Sequence, residues 1–132
     1  MATIKKFEDL EIWKMSRHLS FKIFELSNNS FFSKDFRFRD QIRAAAGSIM
    51  DNIAEGFERS GRLEFINFLS ISKGSAGEVK SQLHRAVDQK YCSREEFDNL
   101  YNEYDKLAGN IAGFISYLNR SDIKGQKFKD RN

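Results

Sequence analysis

The chain has 132 residues, of which 40% are hydrophobic and 31% charged, so it is long enough for one domain with a substantial core. It has one cysteine, no secretory leader pattern and no apolar run of the roughly 18 residues that a membrane-spanning helix needs, so we expect a cytoplasmic protein without disulfides and without a membrane partner. Proline, which ends helices, is absent, and this favours an all-α protein.

The net charge of +3 lies at the C-terminus. Residues 120–132 hold five basic and two acidic side chains, whereas residues 1–119 carry 17 of each sign. We therefore predict a four-helix domain over residues 1–119 and a basic, flexible tail over residues 120–132.

The first helix is predicted over about residues 10–27, with Asp9 as its N-cap. The polar sequence "SNNS" at 27–30 ends it, because short polar side chains favour turns. Its apolar stripe contains Ile12, Leu19, Ile23 and Leu26, and we expect Trp13, Phe21 and Phe24 to widen it.

The second and third helices are predicted over about residues 34–58 and 63–89, from apolar residues that recur every three or four positions. Only "RSGR" at 59–62 separates them, so they should lie antiparallel as a hairpin. Folding about residue 60 would place the small side chains of 44–48 opposite those of 72–76. Since glycine inside a helix costs roughly 0.5 to 1 kcal/mol relative to alanine, we expect close packing or a second subunit to compensate.

The fourth helix is predicted over about residues 94–119. Ser93 and Glu96 have the spacing of a capping box, in which each side chain bonds to the other residue's amide. Apolar residues then alternate in steps of three and four, as in four-helix bundles: Phe97, Leu100, Tyr104, Leu107, Ile111, Phe114 and Leu118. The predicted fold is an up-down-up-down antiparallel four-helix bundle.

Motifs for metal or nucleophilic chemistry are missing from the sequence. Di-iron bundles use Glu-x-x-His pairs, but Met15 stands three residues before His18 and Ser81 three before His84. Cys92 alone cannot build a thiolate zinc site, and only His84 could approach it as a catalytic base. We expect a noncatalytic protein with no metal and no cofactor.

Two further segments resemble functional motifs. "GFERSGR" at 56–62 has the glycine spacing of a phosphate-binding loop, but Arg62 replaces the required lysine. The polar residues Asp51, Asn52, Glu55 and Glu58 could include an acid–base pair, although their spacing is also that of ordinary surface pairs, and we favour a structural role.

Basic side chains recur at helical spacing on the first three helices, while the fourth helix begins with an acidic segment. Clustered Lys and Arg attract phosphates, so we predict nucleic-acid contacts from them; ordinary solvated helix surfaces are the alternative interpretation. The predicted contact residues are Lys14, Arg17, Lys22, Arg39, Arg43, Lys73, Lys80 and Arg85.

Three segments carry a resemblance to a known family: "FEDLEIWKMSR" at 7–17, "QIRAAAGSIMDNIAEGFER" at 41–59 and "FINFLSISKGSAGEVKSQL" at 65–83. They resemble the bacterial four-helix bundle proteins first noticed as products of 23S rRNA intervening sequences. The residues that we assign to an oligomer interface or packing signature are Ser48, Asn52, Glu55, Gly56, Gly74 and Gly77.

Relatives of that family form homopentameric rings, and a distant branch comprises the accessory variability proteins of diversity-generating retroelements, which bind nucleic acid and a reverse transcriptase through a basic exterior. The resemblance therefore implies a homo-oligomer, a pentamer, with RNA or DNA as partner, and it brings no catalytic residues. The alternative that it leaves open is a protein–protein interaction scaffold without a nucleic-acid role.

Overall fold

The computed structural model describes residues 4–120, and in this range it is entirely helical. The prediction of an all-α four-helix bundle is confirmed. The predicted tail lies outside the described residues except for Arg120. The helices are α1 (Glu11–Leu26), α2 (Phe36–Glu58), α3 (Arg62–Asp88) and α4 (Arg94–Arg120), with short 3-10 turns at Phe7–Asp9 and Phe32–Lys34.

Each helix packs against the helix that follows it, and α4 returns to α1. The α1–α2 and α3–α4 connections meet at one end of the bundle, where Asn29 joins them. Its Nδ2 donates to the carbonyl oxygens of Leu26 (2.9 Å) and Tyr91 (2.7 Å), and its Oδ1 accepts from the amides of Phe31 and Phe32. The predicted turn at 27–30 thus also holds two connections together.

The core runs along the bundle axis as layers of aliphatic side chains, each contributing about 1.5–3 kcal/mol when fully buried. Aromatic side chains fill both ends. At the Asn29 end, Phe32 stacks on Phe38 and on Tyr91, with ring centroids 5.0 Å apart in both pairs. At the opposite end, Phe65 contacts Phe57 and Phe114 edge to face.

The helix caps were only partly predicted. The Ser93–Glu96 capping box is confirmed, with the Ser93 amide 2.8 Å from Glu96 Oε1 and the Glu96 amide 3.0 Å from Ser93 Oγ. Asp9 as N-cap is wrong: it belongs to a 3-10 turn, Leu10 precedes α1, and no side chain caps that helix. Asp35, which sequence reasoning missed, caps α2 by accepting from the Phe38 amide.

The α2–α3 seam brings the two small-residue segments together, as predicted. Ser48 Oγ lies 3.1 Å from Ser75 Oγ, and buried Ser72 Oγ donates to the Ile49 carbonyl oxygen at 2.9 Å. Gly56 makes the closest approach, because a Cβ added there would lie 2.6 Å from Phe68 Cβ. Only glycine fits this position without a shift of α3.

Close packing does not explain the other helical glycines that the sequence singled out. A Cβ added at Gly47, Gly74 or Gly77 would meet no other atom within 4 Å. Gly74 and Gly77 are exposed on α3. The expected compensation by packing within the chain is therefore wrong for these three glycines and right for Gly56.

Candidate nucleic-acid interface

The eight predicted phosphate-binding side chains lie on three helices, and most are already engaged locally. On α1, Lys14 pairs with Glu11 at 3.5 Å and Lys22 with Glu25 at 3.9 Å. Both pairs are exposed, and such pairs contribute at most about 1 kcal/mol, so a phosphate could replace the carboxylate. Arg17 packs its guanidinium 5.6 Å from the Trp13 ring centroid.

Lys22 lies in an acidic groove between α1 and α4. The groove has a volume of about 630 Å³, and its lining residues include Glu25, Glu96 and Glu103. Lys22 is therefore surrounded by carboxylates, and their negative charge repels a polyanion at this position.

The basic side chains of α3 point in two directions. Lys80 faces α4, where its Nζ lies 2.7 Å from Asp105 Oδ1 and 5.1 Å from the Tyr101 ring centroid. The hydrogen bond to Asp105 raises the pKa of Lys80. Arg85 instead packs toward α2, 4.1 Å from the Phe38 ring centroid. Lys73 lines a groove beside α4 together with Lys80 and Gly74.

Arg39 and Arg43 stand one turn apart on α2, and each covers an exposed aromatic ring. The guanidinium of Arg39 lies 5.1 Å from the Phe36 centroid, and its Nε bonds to Asp40 Oδ1 at 2.9 Å. The guanidinium of Arg43 lies 4.5 Å from the Phe24 centroid. Both cations are thus held in place by ring contacts.

Arg43 also links α2 to α1. Its Nε donates to Ser27 Oγ at 2.7 Å, while no described residue accepts from its buried Nη2. Beneath it, Phe24 stacks on Phe21 with centroids 6.3 Å apart. We call the five side chains of this surface the Arg–Phe face: Phe21, Phe24, Phe36, Arg39 and Arg43.

Two of the three aromatic residues of the Arg–Phe face were assigned incorrectly from sequence. Phe21 and Phe24 were expected to widen the core stripe of the first helix, but they are 58% and 45% exposed, and Phe36 is 66% exposed. At 100° per residue, Phe21 falls opposite the buried stripe of Leu19 and Ile23, so plotting the helix by angle would have identified it.

The segment Asn52 to Gly56 makes its contacts within the chain. Asn52 Nδ2 donates to the carbonyl oxygen and Oγ of Ser48, at 2.8 and 2.9 Å. Glu55 pairs with Arg59 at 3.0 Å, as surface residues one turn apart commonly do. These contacts fit the structural role that we favoured for this polar group.

Two further surface depressions border α4. One, of about 680 Å³, lies against α3 and is floored by Gly74, Gly77, Ala108 and Ala112. The other, about 500 Å³, is lined largely by apolar side chains, among them Leu10, Phe114 and Tyr117. Both could receive side chains of another polypeptide.

The Cys92–His84 pair is not arranged for nucleophilic chemistry. Burial, with a smaller effect of Glu96, raises the pKa of the Cys92 thiol to about 11, so the thiol is protonated at neutral pH. The His84 ring packs on Phe97 and Tyr101, with centroids 4.8 and 5.4 Å away.

Within residues 4–120, no group of three or more His, Cys, Asp or Glu side chains could hold a metal ion. In the same range, no helix is long and apolar enough to cross a membrane.

Comparisons with known proteins agree with this architecture. A solved structure from Bacteroides thetaiotaomicron, a protein of unknown function from the S23 ribosomal protein family, superposes with a TM-score of 0.72 at 24% identity, covering 79% of this chain and 97% of the other. A search among curated proteins finds no match. The sequence matches the family described as 23S rRNA-intervening sequence protein over residues 8–113, and the chain belongs to that family.

Proposed function

We propose that the protein is a noncatalytic homo-oligomer, a pentameric ring of four-helix bundles, that acts as a nucleic-acid-binding accessory or scaffold. RNA and DNA are both candidate partners. The observation that carries the proposal is the pair Arg39 and Arg43, two cations that ring contacts hold one turn apart at the surface between α1 and α2.

The distribution of charge supports placing the nucleic acid on the α1–α2 side of the bundle. Residues 11–43, which contain α1 and the start of α2, carry seven basic and four acidic side chains, whereas α4 carries three basic and five acidic ones. A polyanion is therefore attracted to the α1–α2 side. A ring would repeat this modest patch in every subunit, and the release of counterions from each copy adds to the affinity.

We rank the eight predicted contact residues by their surroundings. Arg39 and Arg43 are the strongest candidates, and Lys14, Arg17 and Arg85 can extend the surface. Lys22 and Lys80 are the weakest, because carboxylates surround the first and the second forms a 2.7 Å ion pair. Lys73 lines the groove between α3 and α4 together with Lys80.

Ring assembly has its support in the surface beside α4. Exposed glycines inside α3 cost stability unless something packs on them, and nothing within the described chain does so. A neighbouring subunit seated over Gly74 and Gly77 would supply the missing contact. The resemblance to ring-forming bundles agrees with this arrangement.

The test is salt-dependent binding to a labelled stem-loop RNA, followed by fluorescence anisotropy at about 50 and about 200 mM salt. Arg39→Gln with Arg43→Gln should weaken binding and reduce the slope of log affinity against log salt by about 1.5 per engaged subunit. Lys22→Gln with Lys80→Gln removes the same charge from carboxylate-rich positions and should change binding less.

Two results would contradict the nucleic-acid role or its location. Absence of binding at about 50 mM salt, where phosphate contacts are strong, would exclude the role itself. Binding that depends only on residues 120–132, and is insensitive to the Arg39 and Arg43 substitutions, would move the site to the tail.

A protein-interaction scaffold is the second candidate function. The apolar depression at Leu10, Phe114 and Tyr117 and the acidic start of α4 favour it, because they suit a polypeptide better than a polyanion. Recovery of a stoichiometric protein partner after nuclease treatment, with no bound nucleic acid, would support this candidate over the first.

A further inference from the structure

We propose that the Arg–Phe face binds single-stranded nucleic acid, with unpaired bases stacked on Phe21, Phe24 and Phe36 and the adjacent phosphates held by Arg39 and Arg43. The inference rests on the proposed nucleic-acid role and goes beyond it, because it names the strand state of the ligand and the side chains that recognise it.

Exposed aromatic rings are concentrated on the Arg–Phe face. Three of the six large hydrophobic side chains that are exposed among the described residues belong to this one face. Phe21 and Phe24 stack with an interplanar angle of 23°, so together they present two nearly parallel rings. Stacking of bases on such rings is a common way to bind a strand without reading its sequence.

A guanidinium lies beside two of the aromatic rings. Arg43 lies over Phe24, and Arg39 lies over Phe36, so each platform has a guanidinium beside it. Arg43 donates from its Nε to Ser27 Oγ, and its Nη2 is buried. A strand that lays a base on a ring therefore brings its phosphate next to a guanidinium, whose positive charge attracts it.

Charge distinguishes this occupant from an apolar one. A second copy of the chain or a hydrophobic partner helix would have to desolvate Arg39 and Arg43, and burying unpaired guanidinium groups is costly. Among residues 4–120, the one carboxylate that bonds to either arginine is that of Asp40, which lies 2.9 Å from Arg39 Nε. A phosphodiester backbone brings the compensating negative charge itself.

Exposed rings also distinguish a single strand from a duplex. In a duplex the base faces are stacked on one another and only the backbone and groove edges are accessible, so the rings of Phe21 and Phe36 would find no partner. Basic side chains alone would suffice for duplex binding. The aromatic content of the face therefore favours unpaired nucleotides.

The experiment compares two probes on the full chain: a labelled oligouridylate of about 20 nucleotides and a blunt RNA duplex with the same number of phosphates. We expect the wild type to bind the single strand more tightly. The triple variant Phe21→Ala, Phe24→Ala, Phe36→Ala should lose at least about tenfold in affinity for the single strand and clearly less for the duplex, since it removes the stacking rings and, with them, the ring contacts of Arg39 and Arg43.

The matched control is Leu63→Ala with Ile71→Ala, which removes exposed apolar side chains from α3. These residues are 65% and 51% exposed and lie outside the Arg–Phe face. The control should leave both affinities unchanged. Single variants Phe21→Ala and Phe36→Ala provide a milder series, each expected to lose about threefold or more, and circular dichroism confirms that every variant is folded.

The outcomes separate this inference from the proposed function. Equal affinity for both probes with no effect of the triple variant would overturn the stacking site while keeping a nucleic-acid role. Absence of binding to either probe would overturn both. A triple variant whose native mass falls in light scattering would show that the face is a contact between copies of the chain, and this too would overturn the inference.

Discussion

In the α2–α3 hairpin the two helix backbones approach closely, whereas in the α3–α4 hairpin large side chains lie between the helices. In the first, Gly56 lets α2 approach Phe68, and serine hydroxyls cross the seam to Ser75 and to the Ile49 carbonyl. In the second, aromatic contacts such as Phe65 with Phe114 and the His84–Phe97 pair occupy the space between the helices.

The two hairpins therefore respond differently to substitution and to their surroundings. The α2–α3 seam tolerates no added atom at Gly56, and its polar contacts are made by serine hydroxyl groups. The α3–α4 hairpin leaves open space beside Gly74 and Gly77 at its outer surface. It also buries the ionisable side chains of Tyr104 and Cys92. Close contact stabilises the first hairpin, and apolar burial stabilises the second.

The largest effect should come from Gly56→Ala. The added methyl group collides with Phe68 Cβ and lies 3.1 Å from Phe65 Cδ1, so α2 and α3 must separate. We expect a loss of about 2–3 kcal/mol in the free energy of unfolding, measured by urea denaturation. Gly47→Ala, at a position on the same helix with open space, should be neutral or stabilising by up to about 1 kcal/mol. Equal effects at both positions would refute the close contact.

Cys92, in the connection between α3 and α4, should make stability depend on alkaline pH. Folding raises the pKa of its thiol from 9.0 to about 11, so its contribution is fully present below pH 9 and is lost as the pH rises toward 11. Between these limits, the free energy of unfolding of the wild type should fall by about 2 kcal/mol more than that of Cys92→Ala. Parallel curves for the two proteins would show that the thiol is not buried in solution.

Tyr104→Phe should give the smallest change, and a gain rather than a loss. The Tyr104 side chain is completely buried on α4, and none of the described residues bonds to its hydroxyl group. Removing an unsatisfied buried hydroxyl avoids its desolvation cost, so we expect the free energy of unfolding to increase by about 1 kcal/mol. Tyr101→Phe, at a half-buried position on the same helix, serves as the control. A loss of 1 kcal/mol or more in Tyr104→Phe would reveal a bonding partner, such as a buried water.

Local patterns in the sequence predicted much of the fold. The Ser93–Glu96 capping box, the regular apolar spacing of α4 and the short turn after α2 each depend on neighbouring residues alone, and these features were read correctly. Asp9 and Asp35 are both acidic residues ahead of a helix, but only Asp35 caps one. The backbone path of the preceding turn determines which of the two aspartates caps a helix, and that path cannot be predicted from amino-acid composition.

The candidate site was less predictable, because its members are defined by the helix that each one faces. Arg43 follows Ile42 and Lys80 follows Val79 within a helix, yet the first covers Phe24 and the second pairs with Asp105. Helical spacing places cations on one side of their own helix but does not say which neighbour lies there. The packing of the four helices determines which neighbour each cation meets. It also places Phe21 and Phe24 at the surface, although the sequence predicted them in the core.

Native mass in solution, measured by light scattering on the full chain, tests the central claim of a ring most directly. Five copies of the 15.4 kDa chain give about 77 kDa, and we predict this mass across a wide range of protein concentration. A mass near that of one chain would contradict the account, because the exposed glycines of α3 would then have no partner and the cations of a single Arg–Phe face would act alone.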